Sequence, residues 1–133
     1  MNRTFEVENS IVEAESAVVE IAEYLESAGL DCELVHDLRL VTEELLLNTV
    51  SYGYDPDVKD TLKVQVSKDE DTLVLEFRDR ANPFNPLDAE ARDPEDDRIG
   101  GWGIHLMKEL TDSLHYSREG DENVLILKKS GKK

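Results

Sequence analysis

Cysteine is nearly absent. Cys32 is the only one, so no disulfide forms within the chain and a thiolate-built structural zinc site lacks its ligands. No apolar run approaches the roughly 20 residues that span a bilayer, and MNRTFEVENS carries no apolar signal-peptide core. Bases are scarce too: 15 Lys and Arg stand against 31 Asp and Glu, a net charge of −16. Such a surface repels nucleic acid and anionic membranes, because neutralising phosphates takes clustered bases. The tail KKSGKK is too short to reverse this. These absences point to a cytoplasmic protein that binds neither nucleic acid nor membrane, with a basic protein surface as the partner best suited to its charge.

What is present suits one domain over residues 1–133, with a single core. Hydrophobic residues make up only 39% of the chain, but they fall in periodic blocks, as folded sequences do. Arg3 to Val7 alternate loosely and predict a first strand. Ser10 and Glu13 form an S-x-x-E capping box, in which each side chain bonds the other's free N–H. Ile11, Ala14, Val18, Ile21 and Leu25 then recur at helical spacing, and Gly29 ends that helix. Asp31 is a cap for a second helix running to about Ser51, apolar on more than one stripe and so buried against two neighbours. Leu62, Val64 and Val66 alternate with polar residues, as do Leu73, Leu75 and Phe77, which predicts a hairpin turning at Lys68 to Asp71.

From Arg80 to Arg98 runs a long polar stretch with three of the four prolines; such loops in a compact domain are usually functional or mobile. IHLMKEL predicts a short helix from Ile104, and Ser113 to Ser117 and Val124 to Lys128 predict a closing hairpin joined at Gly120. The order strand, two helices, hairpin, loop, helix, hairpin predicts an α+β domain: a mostly antiparallel sheet covered on one face by helices.

Three stretches can carry chemistry. In EELLLN, Glu44 and Asn48 lie one helical turn apart among leucines. They are either a solvated stripe or a site, in which the Asn carbonyl suits Mg²⁺ and the Glu suits a general base. In FRDRANPFNP, Asp79 leaves a strand end, where it either caps a turn or accepts from an amino group such as adenine's. Phe84, between two prolines, covers an aromatic ligand or pins the loop. In IGGWGIHLMKEL, glycines before a helix let backbone N–H groups approach an anion, or simply supply positive φ angles. The stretch matches neither the P-loop nor the dinucleotide fingerprint.

Together, in this order, the three stretches resemble the GHKL nucleotide-binding fold of DNA gyrase, the histidine kinases and the anti-sigma-factor serine kinases, most of all the last group. EELLLNTV resembles the N box, RDRANPFNP the first glycine-box region and GGWGIHLMKELTD the second, while NVLILKK resembles the last strand. The likeness runs from about Thr4 to Lys129. It implies a two-layer sandwich of the Bergerat type, with a mixed, mostly antiparallel sheet. It also implies an ATP-dependent protein serine kinase that sequesters a sigma factor and phosphorylates an anti-sigma-factor antagonist. Asn48 would then ligate Mg²⁺ and Glu44 would act as the base. Asp79 would hold the adenine amino group, with Ala81 and Phe84 beside the nucleotide. Gly101, Gly103 and the N–H of Ile104 would border the phosphates, and Arg80 to Arg98 would be the lid. Arg98 as a phosphate clamp is an inference from its place near that end.

Relatives of this group commonly dimerise, so a homodimer is a further expectation. Two positions depart from the pattern. Tyr52 stands where many relatives have histidine, and Ala81 stands where glycine is usual. A methyl at Ala81 would cost binding if that position needs positive φ or close ligand approach. The lid segment EARDPEDDR is also acidic, a poor field for a polyanion. The alternatives to a kinase are a non-catalytic GHKL-fold regulator with weak or no ATP turnover, and a signalling domain unrelated to sigma factors.

Overall fold

The computed structural model describes residues 1–55, 57–83 and 109–130. Phe84, Arg98, Gly101, Gly103, Ile104, most of the expected lid and all but the end of the helix expected from Ile104 lie outside the described residues; Glu109 and Leu110, at its end, are helical. In chain order the elements are β1 (Asn2–Glu8), α1 (Ile11–Ser27), α2 (Cys32–Asn48), a π-helical turn (Thr49–Gly53), β2 (Thr61–Asp69), β3 (Thr72–Asp79), β4 (Ser113–Glu119) and β5 (Glu122–Ser130). The five strands form one sheet in the order β1-β2-β3-β5-β4, and every described pairing is antiparallel.

Alternation along each strand becomes rows across the sheet, because side chains point to opposite faces with period two. One inner row reads Phe5, Val64, Phe77, Leu125 and Tyr116, and the next reads Arg3, Val66, Leu75, Leu127 and Leu114. The charged member at the edge is accommodated by stacking: the Arg3 guanidinium lies 4.4 Å from the Phe5 ring centre and 5.4 Å from that of Tyr24. Onto these rows pack Ala14, Val18, Ile21 and Leu25 of α1 and Leu34, Leu38, Val41 and Leu45 of α2, in one continuous core. Each fully buried Leu, Ile or Val contributes about 1.5–3 kcal/mol, so these rows hold the two layers together. The opposite sheet face is largely polar, with Arg78 paired to Glu76, Glu119 and Glu122.

The helix ends differ from expectation in three details. Ser10 Oγ accepts from the Glu13 N–H at 3.1 Å, but the Ser10 N–H donates to the Glu8 carbonyl at 2.8 Å, so only half of the capping box forms. Asp31 sits at the N-cap of α2 without a side-chain capping bond. The second helix does not run regularly to Ser51: its α-helical part ends at Asn48 and widens into the π turn, where the Thr49 hydroxyl donates back to the Leu45 carbonyl at 2.9 Å. Gly29 follows α1 at φ +82° and Gly120 turns the last hairpin at φ +63°, both in the left-handed region that favours glycine. No helix among the described residues is long and apolar enough to cross a membrane.

Candidate nucleotide site

Glu44 and Asn48 project from the last turns of α2, whose Leu45 and Leu46 are seated in the core. Both polar residues are half-buried, so neither belongs to a freely solvated stripe. The Asn48 Nδ2 donates to Glu44 Oε1 at 3.4 Å, a long contact that turns the carbonyl end of the amide away from the carboxylate. That carbonyl oxygen, Oδ1, is buried and has no hydrogen-bond partner among the described residues. An orphaned buried acceptor costs about 1–3 kcal/mol, and a hard cation or a donor from a ligand is the natural way to satisfy it. Among the described residues there is no group of three or more His, Cys, Asp or Glu able to hold a metal.

Asp79 ends β3. It continues the inner parity of Leu73, Leu75 and Phe77, and its register partner across β5 is Asn123. Asp79 Oδ1 accepts the Ala81 N–H at 3.0 Å and Asn123 Nδ2 at 2.9 Å. One carboxylate oxygen therefore does cap a turn, while Oδ2 accepts no hydrogen bond within the described residues. Burial pushes the Asp79 carboxyl above its ordinary range. The Asn123 and Ala81 hydrogen bonds and the Arg118 charge work against that rise, and the negative Asp60 adds to it.

Asn123 was not singled out from the sequence, nor were Arg118 and Tyr116. Asn123 Oδ1 accepts the Tyr116 hydroxyl at 2.6 Å and Arg118 Nη1 at 3.2 Å, while Nδ2 also reaches the Asn82 carbonyl at 3.0 Å. Arg118 Nη1 donates in addition to the Ala81 carbonyl at 3.0 Å. Period-two parity was the available signal: Asn123 shares its face with Leu125 and Leu127, and Arg118 with Leu114 and Tyr116.

The π turn ties the end of α2 to the residues that follow β3. Asn82 N–H donates to the Gly53 carbonyl at 2.8 Å, and Asn82 Nδ2 to Asp55 Oδ1 at 3.0 Å. Ala81 is 3% exposed and sits over Gly53, where an added Cβ would lie 2.9 Å from the Ala81 Cβ. Ala81 is not among the positive-φ residues, so its backbone does not require glycine, and its methyl fills the space that Gly53 leaves. Tyr52, in contrast, is 62% exposed.

Beside this junction the Tyr54 hydroxyl donates to Asp60 Oδ2 at 2.9 Å, and Arg80 Nη2 pairs with Asp60 Oδ1. Burial raises the Tyr54 phenol far above its usual value, helped by the Asp60 hydrogen bond and the charges of Asp60 and Asp79. Burial also raises the Asp60 carboxyl, but the hydrogen bonds from Arg80, the Thr61 N–H and Tyr54, with the Arg80 charge, bring it below the ordinary range.

Of the sequence candidates, the described residues thus place Glu44 and Asn48 near the end of α2 and Asp79 and Ala81 at and just beyond the end of β3. Three solved structures share the arrangement of elements at 17% identity. The RsbU and RsbW domains of a Mycobacterium tuberculosis protein superpose with a TM-score of 0.73 over 98% of this chain and 32% of that one. The SiaB–SiaC complex from Pseudomonas aeruginosa gives 0.69 over 95% and 88%, and the histidine kinase AdeS of Acinetobacter baumannii 0.54 over 100% and 68%. The chain therefore spans about a third of the first of these proteins. No curated protein matches it. The family model described as the histidine kinase-like ATPase domain matches residues 7–129, from within β1 almost to the end of β5, and so includes Glu44, Asn48 and Asp79. With that span covered, the chain belongs to the histidine kinase-like ATPase domain family.

Proposed function

We propose that the chain is an ATP-dependent protein serine kinase that acts as an anti-sigma factor and phosphorylates an anti-sigma-factor antagonist. The observation that carries the reading is the Glu44–Asn48 pair, hydrogen-bonded on α2 with a buried carbonyl oxygen that has no partner among the described residues. A domain that only held nucleotide would have little use for a carboxylate beside a cation ligand. Family membership supports ATP as the nucleotide, and the SiaB–SiaC complex, of similar fold, supports a protein partner.

In this reading Asp79 Oδ2 accepts from the adenine amino group, and Ala81 and Phe84 flank the nucleotide. Asn48 Oδ1 fits Mg²⁺ as a neutral oxygen ligand; when bound, the ion neutralises phosphate charge. Glu44 orients the serine hydroxyl of the partner and takes its proton. Gly101, Gly103 and the Ile104 N–H border the phosphates, roles that rest on the resemblance of their motif, and Arg98 clamps them, a role inferred from its place in the sequence near that end. Phosphoryl transfer needs mainly positioning and charge neutralisation, so this sparse set suffices. Ala81 is not at positive φ and packs on Gly53, so its methyl puts no strain on the backbone there.

Titration calorimetry with Mg·ATP, followed by a phosphotransfer assay on a serine-bearing antagonist, tests the proposal. Glu44→Ala should abolish transfer while Mg·ATP binding survives, and Asn48→Ala should remove the Mg²⁺ dependence of binding. Unchanged transfer in Glu44→Ala would refute the base. A wild-type chain that binds no nucleotide at millimolar concentration would favour the non-catalytic regulator.

A further inference from the structure

The amide of Asn123 can be oriented in only one way. Arg118 Nη1 is a donor without lone pairs, so the Asn123 atom facing it at 3.2 Å must be the carbonyl oxygen, which the Tyr116 hydroxyl also meets at 2.6 Å. The opposite end of the amide is therefore Nδ2, and it falls on Asp79 Oδ1 at 2.9 Å and the Asn82 carbonyl at 3.0 Å. A flipped amide would set one oxygen against a carboxylate and another donor against Arg118. Arg118 reinforces the arrangement by holding the Ala81 carbonyl at 3.0 Å.

The consequence falls on Asp79. Its Oδ1 is saturated by two donors, Asn123 Nδ2 and the Ala81 N–H, which fixes the plane of the carboxylate. Among the described residues Oδ2 takes no donor, and it is the Asp79 oxygen left to offer a ligand. We propose that Asn123, oriented by Arg118 and Tyr116, is a positioning residue that sets the site's preference for a base carrying an amino group. It acts through Asp79 and touches no ligand itself. This inference rests on reading the site as an adenine-nucleotide site. A lone acceptor on a half-buried carboxylate discriminates against a base that presents a carbonyl, or no amino group, at the same place, because that oxygen then loses its donor.

The test compares ATP with the triphosphate of purine riboside, which lacks the 6-amino group, by titration calorimetry on the full chain. Wild type should prefer ATP by about tenfold or more, the worth of one charge-assisted hydrogen bond. Asn123→Leu should weaken ATP about tenfold and leave the amino-free nucleotide unchanged, so the preference collapses. Arg118→Met, at a largely exposed position, should shift the preference the same way by about threefold, and it decides the matter if Asn123→Leu does not fold. Equal weakening of both nucleotides would mean a merely structural role and overturn the inference. So would an unchanged preference in a wild-type-like fold. Wild type failing to bind either nucleotide would overturn the site reading, and the inference with it.

Discussion

Gly53 and Ala81 form a packing pair whose sizes depend on each other, and Gly53→Ala is the perturbation that exposes it. The new Cβ would stand 2.9 Å from the Ala81 Cβ, with Thr49 Cγ2 at 3.6 Å. Carbon atoms in contact prefer about 3.5–4.0 Å, so roughly 0.6–1.1 Å must be recovered. Neither side moves freely. The Asn82 N–H is tied to the Gly53 carbonyl at 2.8 Å, and the Ala81 carbonyl is held by Arg118. Overpacking of this kind costs about 1–3 kcal/mol. Against that, exchanging glycine for alanine where the backbone allows it gains about 0.4–1 kcal/mol through the unfolded state, and Gly53 is not at positive φ. Gly53→Ala should therefore lose about 1–2 kcal/mol net.

Ala81→Gly alone should lose about 1 kcal/mol, from one buried methyl and a freer backbone. Combining the two moves the methyl from one residue to the other and removes the clash. The double variant should therefore be more stable than the sum of the single effects predicts, by about 1–3 kcal/mol. Urea denaturation of all four proteins measures this coupling. Additivity within about 0.5 kcal/mol, or a Gly53→Ala protein as stable as wild type, would refute the reasoning. The strain also lies between the residues that follow Asn48 and those that follow Asp79. Mg·ATP affinity should accordingly fall in Gly53→Ala and recover in the double variant.

Thr42 is fully buried and its hydroxyl has no partner among the described residues, so Thr42→Val, which keeps the shape, should raise stability by about 1 kcal/mol in the same denaturation assay; a loss would contradict that account of the hydroxyl. Asp79 has a folded pKa raised by burial, so the folded state holds its proton more tightly than the unfolded chain does. Stability therefore falls as pH rises from the ordinary aspartate range through that raised value, and the full penalty persists above it. Asp79→Asn should be more stable than wild type at neutral pH, and the gain should vanish below the ordinary aspartate range; thermal midpoints from pH 3 to 7 measure it, and a gain that does not depend on pH would contradict it. The same variant should lose its preference for ATP, since stability and ligand binding make opposite demands on this carboxylate.

Local features of the molecule were legible because they depend on neighbours in the chain. Period-two alternation in Leu62 to Val66 and Leu73 to Phe77 becomes a hairpin whatever surrounds it. The i, i+4 spacing of Glu44 and Asn48 puts both on one side of α2, and Gly29 and Gly120 mark positive-φ positions. Asp79 at a strand end was visible for the same reason. What depends on residues distant in sequence was not visible. The widening of α2 into a π turn cannot be read from TVSYG. The capping box at Ser10 is halved because the Ser10 N–H finds the Glu8 carbonyl instead.

The tertiary structure alone decided that β5 inserts between β3 and β4, since strand order follows from which apolar edges pair and not from either strand's own pattern. That insertion sets Asn123 opposite Asp79, 44 positions apart in sequence, and brings Arg118 to the Ala81 carbonyl. It likewise took the folded chain to show that Ala81 is matched by the missing side chain of Gly53. The sequence by itself determined which groups can do chemistry here: an acid and an amide on one helix, and a carboxylate at the end of a strand. Long-range register decided which oxygen of that carboxylate is left to bind, because a hydrogen bond depends on atoms meeting in space rather than on their order along the chain.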